Sequence, residues 1–423
     1  MFDIETEYKI FNEIVSPGVV SEVRSISKIA DKVKKSFDTI DAKGKYASQK
    51  MNFGGSQAFG ARSNDYYPTP QEVTPAEALL RVKRMEMFSL GFEGLSLELA
   101  KSQGSPIDPV AFEQQEMVKG LGDDMSRQLM GDGSGIIAVC DALGSSTATL
   151  IVRSDYYTKP ASLFFKPKRV IDICTPGGNG TKKVNSIAIA TIDSDVQLTL
   201  ATGSQSWADE DAVYSEDAYV AAEAVGKGEI MGILGIVRAT DPPYPNVSAG
   251  LQGLLVSGYP DWAARVWANG GTPRPFDEDL LVKALLYHER YGTKITVMLI
   301  TQGIFRLWKQ HLEAFKVLGP GKNTMWGGWD ALPFYYAGKE IPMVADLFTP
   351  DGQIVALAES EFTLHLTNKN WITWESGYGG DGRILQKVAG RNAYVAEGHI
   401  FGNLGVRSRA GSGFRITDIE EPD

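Results

Sequence analysis

Val110, Met117, Leu121, Met125 and Leu129 recur at spacings that stack them on one side of a helix, with Glu113, Glu116, Asp123, Asp124 and Arg127 on the other sides. The pattern predicts one amphipathic helix that starts at Pro109 and runs roughly 33 Å, longer than a small domain is thick. Segments before and after it can dock along its length, which makes it a spine. Gly131, Gly133 and Gly135 alternate with Asp132 and Ser134 and predict an abrupt end, because glycine tolerates positive φ and short polar side chains take up backbone groups. Gly120 and Gly122 weaken its middle.

Upstream, Val19, Val23, Ile26, Ala30, Val33, Phe37 and Ile40 follow one another at steps of four and three, a heptad seam that predicts a helix over 19–40. Its other faces carry Arg24, Lys28, Lys32, Lys34 and Lys35 against Glu22, Asp31 and Asp38. Such a face is either simply solvated or turned toward an acidic surface such as DNA. Residues 42–75 are rich in Gly, Ser, Asn and Pro without periodicity, which predicts a long loop. Phe53, Phe59, Tyr66 and Tyr67 suit an arm that anchors on a neighbour. Alternation from Val82 to Phe92 predicts the strand by which this arm returns.

Beyond the spine, 147–237 reads almost wholly as strands between Gly, Asn, Asp and Pro turns, a small sheet or barrel inserted in the chain. The Pro, Gly and Trp of 241–275 predict a surface loop region. FDEDLLVKALLYHERYG predicts a helix capped near Asp277, KITVMLIT a buried strand, and QGIFRLWKQHLEAFKVLG a helix ending at Gly319 before Pro320. Strands return in KEIPMVAD, GQIVALAES, FTLHLT, NAYVAEGHIFGNLG and GFRITDI. No internal repeat or low-complexity tail is evident.

With 423 residues, 43% hydrophobic and 22% charged, the chain has material for two or three cores. No apolar run approaches the roughly 20 residues of a membrane span, and the N-terminus lacks the basic and apolar regions of a signal peptide, so neither secretion nor a membrane role is expected. Cys140 and Cys174 are too few for a disulfide framework and read as core residues. The glycosylation-like triplets at Asn179 and Asn246 are then coincidental. A net charge of −10 argues against a protein coated all over in nucleic acid.

Catalytic, cofactor and metal signatures are not found. GDGSG lacks the lysine of a phosphate loop and follows a helix where such a loop follows a strand. His288-Glu289 has no second histidine four residues after the first, and His288, His311, His365 and His399 are scattered, so each reads as structural. No carboxylate pair stands out as an acid and base. A structural protein is the expectation.

The heptad-patterned start, the glycine-rich loop that returns as a strand, LMGDGSGIIA closing the spine, the helix, strand, helix at 276–318, the pair AGKEIPMVAD and GQIVALAES, and NKNWITWESGYGGDG together resemble one family. It is that of the major capsid proteins of tailed double-stranded DNA bacteriophages, the Hong Kong 97-type fold, an α+β architecture, and the resemblance covers nearly the whole chain. It implies an N-terminal arm at 1–41, an extended loop at 42–92, and a peripheral domain with the spine helix at 93–146 and 355–423. A β-rich insertion at 147–237, larger than the minimal fold needs, and an axial domain at 238–354 complete the division. No long scaffolding segment is expected ahead of the arm.

The function implied is a non-enzymatic shell subunit without cofactor, assembling in the host cytoplasm as hexamers and pentamers into an icosahedral virion head around double-stranded DNA bound without sequence specificity. Portal, scaffolding and decoration proteins are the further partners it implies. Candidate contacts between subunits are Phe53, Phe59, Tyr66 and Tyr67 of the loop and Val23, Ile26, Val33 and Phe37 of the seam. Arg24, Lys28, Lys32, Lys34 and Lys35 are the candidates for facing the interior and its DNA. Two other classes compete: an encapsulin-like shell around cargo protein, and a β-rich carbohydrate hydrolase, which needs a carboxylate pair the sequence does not show.

Overall fold

The computed structural model describes residues 34–36, 46–51, 76–93, 109–153, 164–175, 181–218, 229–242, 250–314, 324–326, 329–368, 371–375 and 384–421. Strands β1 (Lys34–Ser36), β2 (Tyr46–Met51), β3 (Ala76–Arg81) and β4 (Lys83–Glu93) precede helix α1 (Pro109–Met130), the spine. A run of strands follows: β5 (Ile136–Cys140), β6 (Gly144–Thr147), β7 (Thr149–Arg153), β8 (Val170–Cys174), β9 (Lys182–Ile192), β10 (Gln197–Leu200), β11 (Gln205–Trp207) and β12 (Ala212–Ser215). Next come β13 (Arg265–Trp267), α2 (Glu278–His288), β14 (Val297–Ile300), α3 (Gln302–Ala314), β15 (Thr324–Trp326), β16 (Trp329–Tyr336), β17 (Lys339–Ala345) and β18 (Ile354–Leu357). The chain closes with β19 (Phe362–Leu366), β20 (Thr373–Trp374), β21 (Gln386–Lys387), β22 (Ala393–Val406) and β23 (Gly413–Ile416).

These strands make three main bodies. A six-stranded sheet is built around β22, which pairs with β4, β19, β20 and β21, while β1 joins at the far side of β19. The strands β10, β7, β5, β12, β8 and β9 form a closed barrel. A seven-stranded sheet runs β13-β23-β18-β14-β17-β16-β15, with α2 and α3 on one face. Its central β14 is buried on both faces: Val297 and Leu299 point into the large core shared with the spine, the barrel and the six-stranded sheet, and Met298 and Ile300 point into the core under α2 and α3. The continuous apolar run of KITVMLIT is what such a strand requires. Asp277 caps α2 as expected, accepting from the Asp279 backbone N–H at 3.0 Å.

Several expectations need correction. Lys34, Lys35 and Ser36 form a strand in parallel with Thr363, Leu364 and His365, where the heptad pattern predicts helix; the available edge of β19 outcompetes the local periodicity. The remainder of the 19–40 seam lies outside the described residues. Tyr46–Met51, read as loop, pairs in register with Ala76–Arg81, so the extended segment is a two-stranded ribbon at its base. The barrel begins at Ile136, before the expected 147. Trp262 is 1% exposed and Leu251 and Leu254 are buried, so 241–275 is not simply a surface loop. Gly413–Ile416 pairs with β13 and β18 in the seven-stranded sheet, on the axial side of the expected division.

Candidate assembly surfaces

Leu121, Met125 and Leu129 are buried as the helical spacing predicts. The second half of α1 is not amphipathic, however: Ser126, Arg127 and Gln128 are buried too, at 1%, 4% and 2% exposure. This half threads between the six-stranded sheet and the barrel, so its polar side chains need partners inside. Ser126 Oγ donates to the Gly122 carbonyl at 2.7 Å. Arg127 grips Glu229 with both terminal nitrogens, one at 3.0 Å, and pairs with Asp124 at 3.2 Å. Arg169 of the barrel reaches the other oxygen of Asp124 at 2.9 Å and the Ser215 hydroxyl at 2.6 Å. Gln128 donates to Glu86 of β4 at 2.6 Å and to Asp124 at 3.0 Å.

Strand alternation puts Glu86 on the same face of β4 as Phe88 and Leu90, and its carboxyl meets Gln128 of α1. Burial pushes the Glu86 carboxyl well above the usual range, and the Asp124 charge adds to the effect. Burial acts upward on Asp124 as well, but Arg127 and Arg169 outweigh it and hold Asp124 well below the carboxylate range. Asp124 and Glu229 outweigh burial in the same way at Arg127 and keep it charged. The six-stranded sheet, the spine and the barrel therefore meet in one ionic joint.

The GDGSG turn locks the end of the spine. Gly133 and Gly135 adopt φ of +81° and +78°, Asp132 Oδ1 accepts from the Ser134 N–H at 2.9 Å, and Ser134 Oγ accepts from the Ile136 N–H at 3.2 Å. A Cβ on Gly232 would lie 2.7 Å from the Gly131 nitrogen, so two backbones touch there without side chains. Arg409, fully buried, ties the C-terminal segment to this region through the carbonyls of Ile236 at 2.9 Å and Arg238 at 3.0 Å. Burial lowers its pKa to about 10.

Among the residues that sequence alone put forward for assembly, Phe53, Phe59, Tyr66, Tyr67, Val23, Ile26, Val33, Phe37, Arg24, Lys28 and Lys32 lie outside the described residues. Lys34 and Lys35 lie in β1, at an edge of the six-stranded sheet. Sequence reasoning did not find the Glu86, Asp124, Arg127, Arg169 and Glu229 joint, since Glu86, Arg169 and Glu229 lie far along the chain from the spine residues Asp124 and Arg127 and no local pattern connects them.

Two surface features flank α2. At its C-terminal end Arg265 and Arg290 stack on aromatic rings: Arg265 lies 5.2 Å from the Trp267 centroid and 5.3 Å from that of Tyr287, and Arg290 lies 4.6 Å from Tyr287. At its N-terminal end a cleft of about 360 Å³ is lined by Pro275, Phe276, Leu307, His311, Glu420 and Glu421. A second cleft, of about 520 Å³, lies beside Asp132, Arg238 and Arg415. Cys140 and Cys174 are buried, and burial raises both thiols to about 12. Among the described residues no group of His, Cys, Asp and Glu could hold a metal, and no helix is long and apolar enough to cross a membrane.

No protein-family model and no curated protein matches the chain. Solved structures do. The Cyanophage A-1(L) capsid aligns at a TM-score of 0.50 and 11% identity over 92% of this chain and 90% of that one. Mycobacterium phage Patience aligns at 0.44 and 10% over 100% and 90%, and an encapsulin complex from Synechococcus elongatus at 0.43 and 9% over 94% and 89%. The ribbon, spine, paired sheets and inserted barrel are thus parts of one α+β architecture, and the chain has the Hong Kong 97-type capsid fold that its sequence resembles.

Proposed function

We propose that the chain is a non-enzymatic shell subunit that self-assembles as hexamers and pentamers into an icosahedral phage head around double-stranded DNA. The observation that carries this reading is the correspondence with the Cyanophage A-1(L) capsid along 92% of the chain. The two-stranded base of the extended segment supports it, because an isolated pair of strands is marginal alone and gains order by lying on another surface. On this reading the segment between the strands lies over an adjacent subunit through Phe53, Phe59, Tyr66 and Tyr67. Residues 1–41, with their basic side chains, are the arm that faces the interior. Portal and scaffolding proteins, and a virion location, follow from the same proposal.

Light scattering and negative-stain microscopy of the expressed protein test it. Closed shells are the expected result, and a compact monomer under every assembly condition contradicts it. Removing residues 52–75 should leave a folded chain that builds no stable shell. Shells that contain a defined protein and no DNA would instead identify a cargo compartment.

A further inference from the structure

The two ends of α2 carry complementary surfaces. Its C-terminal end displays a basic aromatic platform: Trp267 and Tyr287 meet edge to face at 5.9 Å, Tyr287 and Tyr291 at 6.4 Å, and the guanidinium groups of Arg265 and Arg290 lie over these rings. Both arginines are exposed, and neither forms an ion pair with a carboxylate among the described residues. Asp261 lies near Tyr291, and Glu289 is engaged by Tyr336. Leu286, 55% exposed, lies one turn before Arg290 and extends the platform with apolar surface. Arginine and aromatic residues grouped in this way are what the energetic centres of protein interfaces are made of.

The N-terminal end of the same helix is its opposite. The cleft there has an apolar floor in Pro275, Phe276 and Leu307, and its rim carries Glu420 and Glu421. Glu278 and Asp279, in the first turn of α2, stand exposed beside it, Glu278 paired with His311 and Asp279 with Lys283. Carboxylates outnumber cations around this cleft, and a guanidinium carried on an aromatic ring suits both its floor and its rim.

Helix α2 is 11 residues long, so about 16 Å separates platform from cleft and one chain does not bring its own two surfaces together. A patch and its complement at different places on one molecule define a heterologous contact, which repeats from copy to copy and closes into a ring when the rotation allows. Building on the shell reading above, we propose that the Arg265, Tyr287 and Arg290 platform of one copy docks into the Phe276 and Leu307 cleft of the next. Copies then join head to tail through opposite ends of α2. The occupant of each cleft is a second copy of this chain.

Charge reversal tests the contact. One variant combines Arg265→Glu and Arg290→Glu; the other combines Glu278→Lys, Asp279→Lys and Glu420→Lys. Asp277 is left in place because it caps α2. Each variant alone sets like charges against each other at every contact, and should lose capsomers and particles in sedimentation and negative-stain microscopy while keeping the native thermal melt. An equimolar mixture of the two restores complementary charges at every contact of an alternating even-membered ring, and should recover ring-shaped capsomers. A chain carrying both sets should likewise assemble by itself. Either variant assembling alone as well as the native chain overturns the contact and leaves the shell reading intact. Failure of both rescues, with folded protein, overturns it as well. A native chain that forms no assembly in the same experiment removes the shell reading and this contact together.

Discussion

Glu86 and Asp124 converge on one amide: Gln128 Nε2 lies 2.6 Å from Glu86 Oε1 and 3.0 Å from Asp124 Oδ2. With Glu229 the joint contains three carboxylates against the two guanidiniums of Arg127 and Arg169. Its charge balances when Glu86 is neutral, and burial with the adjacent Asp124 charge raises the Glu86 pKa well above its ordinary 4.5. The folded chain then holds a proton on Glu86 that the unfolded chain has already released, so this residue lowers stability as pH rises above that ordinary value. Glu86→Gln keeps the shape and removes the titration. Thermal melts from pH 4 upward should show the variant gaining on the native chain as pH increases, with the difference constant below about pH 4.5. A difference that does not change with pH contradicts a neutral Glu86.

The same joint predicts a marked asymmetry at Arg127. Its side chain is 4% exposed and faces Glu229, itself 10% exposed. Arg127→Met leaves Glu229 and Asp124 buried without this cation and should cost about 3 to 5 kcal/mol. Replacing Arg127 and Glu229 together by Met removes a charge of each sign and should cost much less than the sum of the single substitutions. Urea denaturation of the four proteins in this cycle measures the coupling.

What was legible in the sequence and what was not divide along these physical lines. Leu121, Met125, Leu129 and the KITVMLIT strand were readable because helical period and continuous apolarity are local signals that burial satisfies directly. The Gly133 and Gly135 turn was readable because positive φ selects glycine. Arg127 reads as surface because a polar residue within a helix is exposed by default, and the partner that buries it, Glu229, is 102 residues away. Strand β1 was misread as helix for a related reason: its pairing with Thr363–His365 is non-local, and the heptad pattern was the only local signal. The Arg265 and Tyr287 platform had no signal at all, since a strand and a helix end contribute to it separately.

Two glycines, one packed against the spine's end and one in its middle, should respond oppositely to a methyl group. At Gly232 a Cβ meets the Gly131 backbone nitrogen at 2.7 Å, and neither backbone can yield as a side chain could. Gly232→Ala should cost about 1 to 3 kcal/mol by overpacking. At Gly120, in α1 and solvent exposed, a Cβ meets nothing within 4 Å. Gly120→Ala should stabilise by about 0.5 to 1 kcal/mol, because alanine loses less backbone entropy in a helix. Shifts of opposite sign in the urea midpoint are expected. A neutral Gly232→Ala would mean that the close approach of the two segments is not maintained in solution.

His288 sets a second pH dependence, opposed to that of Glu86. The imidazole, on the last residue of α2, is 2% exposed, and its Nε2 lies 3.0 Å from the Thr293 hydroxyl, which in turn donates to the Gly411 carbonyl at 2.6 Å. Because that hydroxyl hydrogen is committed to Gly411, the ring donates from Nε2 to Thr293, and the neutral tautomer satisfies the site. Burial lowers the pKa from 6.5 to about 4. Between these values the unfolded chain takes up a proton that the folded chain refuses, so stability is complete above pH 6.5 and is lost as pH falls toward 4. At about 1.4 kcal/mol for each unit, the loss amounts to roughly 3 kcal/mol across the window. His288→Gln retains a donor for Thr293 without this titration. Chemical denaturation at pH 7 and pH 5 should show a smaller loss for the variant than for the native chain. Equal losses in the two proteins would mean that His288 is protonated in the fold and that the Thr293 bridge does not hold it neutral.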